Sequence, residues 1–218
     1  MSRQPKPWSR APNPTASAEP VSRAGGAARR SHTGELAVRV ALLRGVNVSG
    51  VRKVPMGELR ALAAGLGFTR AETYVQSGNL VLTTTRDDDD VAGALERALS
   101  ERFGFEVPVV VRGLAAWDRW ARGSTFADAE TARPQWLLLA LSRRPLPARV
   151  VTDLAPYVGP AERVALAGGG LWIDYGAGVA RSRLTPAVLD RVAGAPVTAR
   201  NVRTVRALAT LGRQLAAG

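Results

Sequence analysis

Apolar residues along this chain change their spacing several times, and each change marks an element. Val38 to Leu43 is apolar apart from Arg39, the pattern of a strand that is buried in a sheet. Pro55 then opens a segment in which Met56, Leu59, Leu62, Ala63 and Leu66 recur on one helical face, and Gly67 supplies its stop. Thr73 to Gln76 and Leu80 to Thr84 are β-prone stretches around Ser77-Gly78-Asn79, a spacing that predicts a hairpin. Asp87 to Asp90 precede the helical spacing of Val91, Leu95, Ala98, Leu99 and Phe103. Carboxylates at a helix start complement its dipole, so the acidic run reads as an N-terminal cap, with an acidic metal cage as the sharper alternative. Glu106 to Arg112 reads as a closing strand.

After a linking helix over Leu114 to Ala121 the same order returns. A strand at Trp136 to Ser142, a helix from Pro147 to Ala155 and a strand at Arg163 to Ala167 lead into a turn at Gly168 to Gly170. Leu171 to Tyr175, a helix over Pro186 to Ala193, a short strand at Val197 to Arg200 and a last helix from Val202 complete the chain. The pattern predicts an α+β fold of two ferredoxin-like βαββαβ halves in tandem, residues 35–112 and 113–218. Residues 1–34 hold Pro5, Pro7, Pro12, Pro14 and Pro20 with no apolar period, which predicts a disordered tail that folding does not need.

Composition narrows the chemistry. No cysteine occurs, and His32, the only histidine, precedes the first segment with a folded pattern. Thiolate nucleophiles, zinc fingers and imidazole bases are thereby excluded from the core, and neither a metal nor a cofactor is expected. The acids Glu58, Glu72, Asp153, Asp174 and Asp190 and the tyrosines Tyr74, Tyr157 and Tyr175 form no recognisable acid/base pair, so the reading leans away from an enzyme. The longest apolar run, Trp136 to Leu141, is far short of the roughly 20 residues that span a bilayer, and a cytoplasmic protein with no membrane partner is expected. The net charge of +12 is unevenly placed: residues 1–34 carry +5, residues 35–112 carry none, and residues 113–218 carry +7. A basic second half makes nucleic acid a possible partner, although 28 of the 30 cations are arginine, a bias that genome composition also produces. The five tryptophans fit no base-stacking signature, and core packing accounts best for Trp136 and Trp172.

Three stretches, V-A-L-L-R-G-V-N-V-S-G-V-R-K-V-P-M-G-E-L-R (40–60), L-G-F (66–68) and T-Y-V-Q-S-G-N-L-V (73–81), resemble the opening signature of the bacterial family catalogued as domain of unknown function 1697. A-R-S-R-L-T (180–185) and T-A-R-N-V-R-T (198–204) resemble its closing motifs, except that Val202 stands where the family usually carries tryptophan. The resemblance implies two ferredoxin-like halves and no established activity.

In a ferredoxin-like unit the loop after the first strand and the hairpin between the second and third lie at one end. A first rim would then gather Arg44, Asn47, Ser49, Arg52, Lys53, Gln76, Ser77 and Asn79 beside the free N–H groups of the helix opened by Pro55, a set that suits a small anionic or phosphate-bearing ligand. Lys53 comes two residues too late for a phosphate loop of the Walker type. The alternative is that Asn47 and Asn79 bond only local backbone and Arg44 pairs with an acid such as Glu58. A second rim would bring Arg181, Ser182 and Arg183 to the end of the last strand, with Arg200 and with Asn201, for which capping the final helix is the favoured role over recognition.

Overall fold

The computed structural model describes residues 34–48 and 50–218, so the predicted tail up to residue 33 and Ser49 of the first rim lie outside the described residues. The first half runs β1 (Ala37–Leu43), α1 (Met56–Gly65), β2 (Thr69–Tyr74), β3 (Asn79–Thr84), α2 (Asp88–Phe103) and β4 (Val109–Gly113). Two helices follow, α3 (Leu114–Arg122) and α4 (Ala127–Ala132). The second half runs β5 (Leu137–Ser142), α5 (Val150–Leu154), β6 (Arg163–Ala167), β7 (Gly170–Asp174), α6 (Pro186–Ala193) and β8 (Val197–Asn201), and α7 (Val202–Ala217) ends the chain. The protein is thus α+β, with two antiparallel four-stranded sheets ordered β2-β3-β1-β4 and β6-β7-β5-β8. Helix α4 was not foreseen: A-D-A-E-T-A has no apolar stripe and buries only Ala129.

The apolar density of the strands follows from burial on both faces. Ala41, Leu43, Leu80, Leu82, Val109 and Val111 face α1 and α2, while the alternate residues Val40, Leu42, Val81 and Val110 face the other way. There they meet Leu137, Leu139, Leu141 and Trp172 of the second sheet, with Trp117 and Trp120 of α3 and Val202, Val205 and Leu208 of α7 between them. The far side of the second sheet, Ala140, Leu171, Ile173 and Val197, is covered by α5 and α6. The sheet face that an RNA-binding protein of this topology would leave open is therefore buried in a shared middle core.

Aspartates 87–90 act as the charge pattern predicts. Asp87 caps α2, accepting from the Asp90 N–H at 2.8 Å, and Asp88 and Asp89 pair with Arg39 and Arg143. Contrary to the expectation of core packing, Trp136 precedes β5 rather than lying in it and is 37% exposed, whereas Trp172 is fully packed. No helix among the described residues is long and apolar enough to cross a membrane.

Candidate functional site

At the first rim the topology brings both predicted segments together. The Leu43 N–H donates to the Gly78 carbonyl at 2.8 Å, and the Asn47 amide donates to the Gln76 carbonyl at 2.7 Å. Gly78 has φ 68°, and a Cβ there would come within 2.7 Å of Leu43 and Val46, so the close approach needs glycine. What the sequence did not reveal is what fills the rim. Arg200 of β8 reaches across from the second sheet and donates to Asn79 Oδ1 at 2.5 Å and to the Leu43 and Ser77 carbonyls at 2.9 and 2.8 Å. Its remaining N–H groups meet Thr198 Oγ1 and the Ala199 carbonyl. Burial pulls the guanidinium down to a pKa of about 10, still charged at neutral pH.

The other first-rim residues are mostly engaged inside the molecule. Asn47, at φ 57°, accepts from the Val54 N–H and donates to the Val54 carbonyl, so its side chain closes the loop. Buried Asn79 donates to the Tyr74 carbonyl and to Ser77 Oγ. Arg44 pairs with Asp190 of α6 at 2.6 Å rather than with Glu58, which pairs with Arg102. The side chains of Arg52, Lys53 and Gln76 stay exposed, and none of the three has a partner among the described residues.

The second rim is divided. Arg200 leaves it for the first, and Asn201 caps α7 by accepting from the Thr204 N–H at 2.9 Å. Arg181 and Arg183 remain, both exposed and both without a hydrogen bond or ion pair among the described residues. With Ser182 they line a cavity of about 420 Å³ whose other walls include Tyr157, Glu162, Tyr175 and Gly178. The loop holding them is fixed from below. Tyr175 is buried and its hydroxyl donates to the Leu184 carbonyl at 3.1 Å, while Ser182 Oγ accepts from the Leu184 N–H. Burial, with the Glu162 charge adding to it, pushes the Tyr175 hydroxyl up to about 12, so it holds its proton. A Cβ on Gly176, at φ 55°, would overlap the Ala161 carbonyl, so the sharp exit from β7 also depends on glycine.

Beside this loop Asp174 is wholly buried and bonded by Arg133 at 2.6 and 2.8 Å, by Arg163 at 2.7 and 3.0 Å and by the Gly176 N–H at 3.0 Å. Burial raises its pKa, but the two guanidiniums and the N–H outweigh that and hold it at about 2. The sequence showed Asp174 only as one scattered acid, because its partners stand 11 and 41 residues away.

The model of a family described as "Protein of unknown function (DUF1697)" matches residues 36–172. The chain belongs to this family. The DUF1697 match takes in the whole first rim but stops before Arg181, Arg183 and Arg200, so the two closing motifs lie outside the matched residues. No curated protein matches the chain. Among solved structures the chain is similar to the conserved bacterial protein SP0830 from Streptococcus pneumoniae, at 17% identity and a TM-score of 0.61, covering 82% of this chain and 99% of that one. At that identity the likeness speaks for the fold that this member of DUF1697 adopts.

Proposed function

We propose that this protein binds a small anionic, phosphate-bearing ligand without turning it over, and that Arg181, Ser182 and Arg183 hold it. The observation that carries this reading is the pair of guanidiniums left without an internal partner on one concave surface, in a molecule where Arg39, Arg44, Arg102, Arg133, Arg143 and Arg163 are all ion-paired. Two guanidiniums present paired donors to one oxyanion, and the Ser182 hydroxyl has a proton left to donate. Binding without reaction fits the surroundings, since the Tyr175 proton is committed to a carbonyl and Glu162 Oε2 to the Gly159 N–H. The strand order in each half supports taking residues 35–112 and 113–218 as two ferredoxin-like units.

Calorimetric titration with pyrophosphate tests the proposal. The wild type should bind it, and Arg181→Ala with Arg183→Ala should weaken binding by roughly tenfold or more, on the scale of charge-assisted hydrogen bonds. Equal affinity in wild type and double variant would remove the site. The exposed, unpartnered Arg144 and Arg203 favour nucleic acid as a second reading. It requires retention of DNA or RNA at low salt that weakens when Arg181, Arg183 and Arg203 are neutralised. Arg200 is committed inside the molecule and belongs to neither test.

A further inference from the structure

Six large apolar side chains are exposed on the described surface, and three of them, Val48, Val51 and Val75, stand on the first rim. Val48 and Val51 face each other across a tight turn closed by the Val51 N–H on the Val48 carbonyl at 3.1 Å. Val75 opens the turn between β2 and β3, and the Asn47 side chain ties the two turns together through the Val54 and Gln76 carbonyls. The backbone here is strained. Of the four non-glycine residues with positive φ among the described residues, three are Asn47, Arg52 and Val75, and Val75 at 49° carries a β-branched side chain in a region that such residues avoid. Core packing does not account for that strain, because 54% of Val75 is exposed.

Charge narrows the partner. Arg52 and Lys53 are exposed and unpartnered, and neither segment 44–56 nor segment 73–79 contains an acid. A second copy of this rim would bring like charges together, and neither turn tip, 47–53 or 75–78, offers an aromatic ring for stacking bases. Aliphatic tips flanked by cations match a bilayer interface, where the tips enter the headgroup boundary and the cations meet lipid phosphates. We propose that the first rim docks the protein peripherally on an anionic lipid surface through Val48, Val51 and Val75, with Arg52 and Lys53 on the headgroups. Such docking needs no spanning segment, which is all that the expectation of no membrane partner rested on. It is independent of the cavity at Arg181 and Arg183.

Cosedimentation of the full chain with phosphatidylcholine vesicles, with and without phosphatidylglycerol, tests this. Binding should need the anionic lipid, fall with salt, and drop roughly fivefold for Arg52→Gln or Lys53→Gln. Residues 1–34 carry +5 and attract anionic vesicles by themselves, so the valines decide. In the full chain, Val48→Asp with Val51→Asp should lower vesicle binding well below wild type, leaving only the salt-sensitive attraction of the basic tail. Val75→Gly separates docking from folding, because it relieves the strained φ and removes an apolar tip: the melting temperature should rise while vesicle binding falls. Failure of the wild type to bind anionic vesicles, binding unchanged in the Val48/Val51 variant, or RNA binding that these rim residues govern instead would each overturn the proposal.

Discussion

A guanidinium has five N–H donors, and Arg200 places all five on oxygens of its own chain, three of them at the far rim. A lysine has three donors and no planar fork, so it cannot meet the same set. Arg200→Lys is expected to lower stability, and Arg200→Ala to cost about 3 kcal/mol, since the Leu43 and Ser77 carbonyls and Asn79 Oδ1 would lose their donor. Urea denaturation measures both, and an alanine variant within a few tenths of a kcal/mol of wild type would mean that water replaces the guanidinium freely. Asp174 gives a prediction in pH. Its folded pKa of about 2 lies below its ordinary value of 3.8, so the folded state favours the ionised form. That stability, about 2 kcal/mol, is fully present above about pH 5, where both states are ionised, and is lost as pH falls through the folded pKa of about 2. The stability gap between wild type and Asp174→Asn should accordingly narrow between pH 5 and pH 2, and a constant gap would show that the carboxylate does not titrate with unfolding.

Elements were legible where one physical signal decided them. The apolar runs of β1, β5 and β7, the acids ahead of α2, and Asn201 ahead of α7 each act locally, and the structure places those elements within a few residues of expectation. Proximity at the first rim was legible as well, because topology alone sets which loops share an end. The destination of long side chains was not. Arg200 and Asn79 stand 121 residues apart, Arg44 and Asp190 stand 146 apart, and no spacing rule connects such pairs. Trp136 was misjudged because an apolar run does not tell its first residue, which lies outside the sheet, from the buried ones that follow. At this scale Asp87→Ala should destabilise α2 by about 1 kcal/mol, as loss of an N-cap does, and hydrogen exchange should localise the loss to the first turn. Protection lost evenly over the whole chain would instead assign Asp87 a role beyond the cap.

At the scale of the whole molecule the two sheets share what neither could bury alone. Val40, Leu42, Val81 and Val110 of the first sheet are at most 4% exposed, and their cover comes from the second sheet, α3 and α7. Polar ties cross the same boundary: Arg200 to the first hairpin, Arg44 to Asp190, and Arg143 to Asp89 and Glu96. A first half without its partner would expose four aliphatic side chains on one sheet face, each contributing about 1.5–3 kcal/mol when buried, and would leave the Leu43 and Ser77 carbonyls without their guanidinium. The halves should therefore fold and unfold together. Calorimetry of the full chain is expected to show one transition with matching calorimetric and van't Hoff enthalpies, and residues 35–112 expressed alone should lack a cooperative transition. Val110→Asp gives the sharper check, because it places a charge in the middle core from the side of the first half. If the halves are coupled, tryptophan fluorescence and far-ultraviolet dichroism will shift to lower urea together, since Trp117, Trp120 and Trp172 border that core. Should the two signals separate, with the tryptophans melting at their wild-type midpoint, the second half would be stable by itself and the shared core only a docking surface.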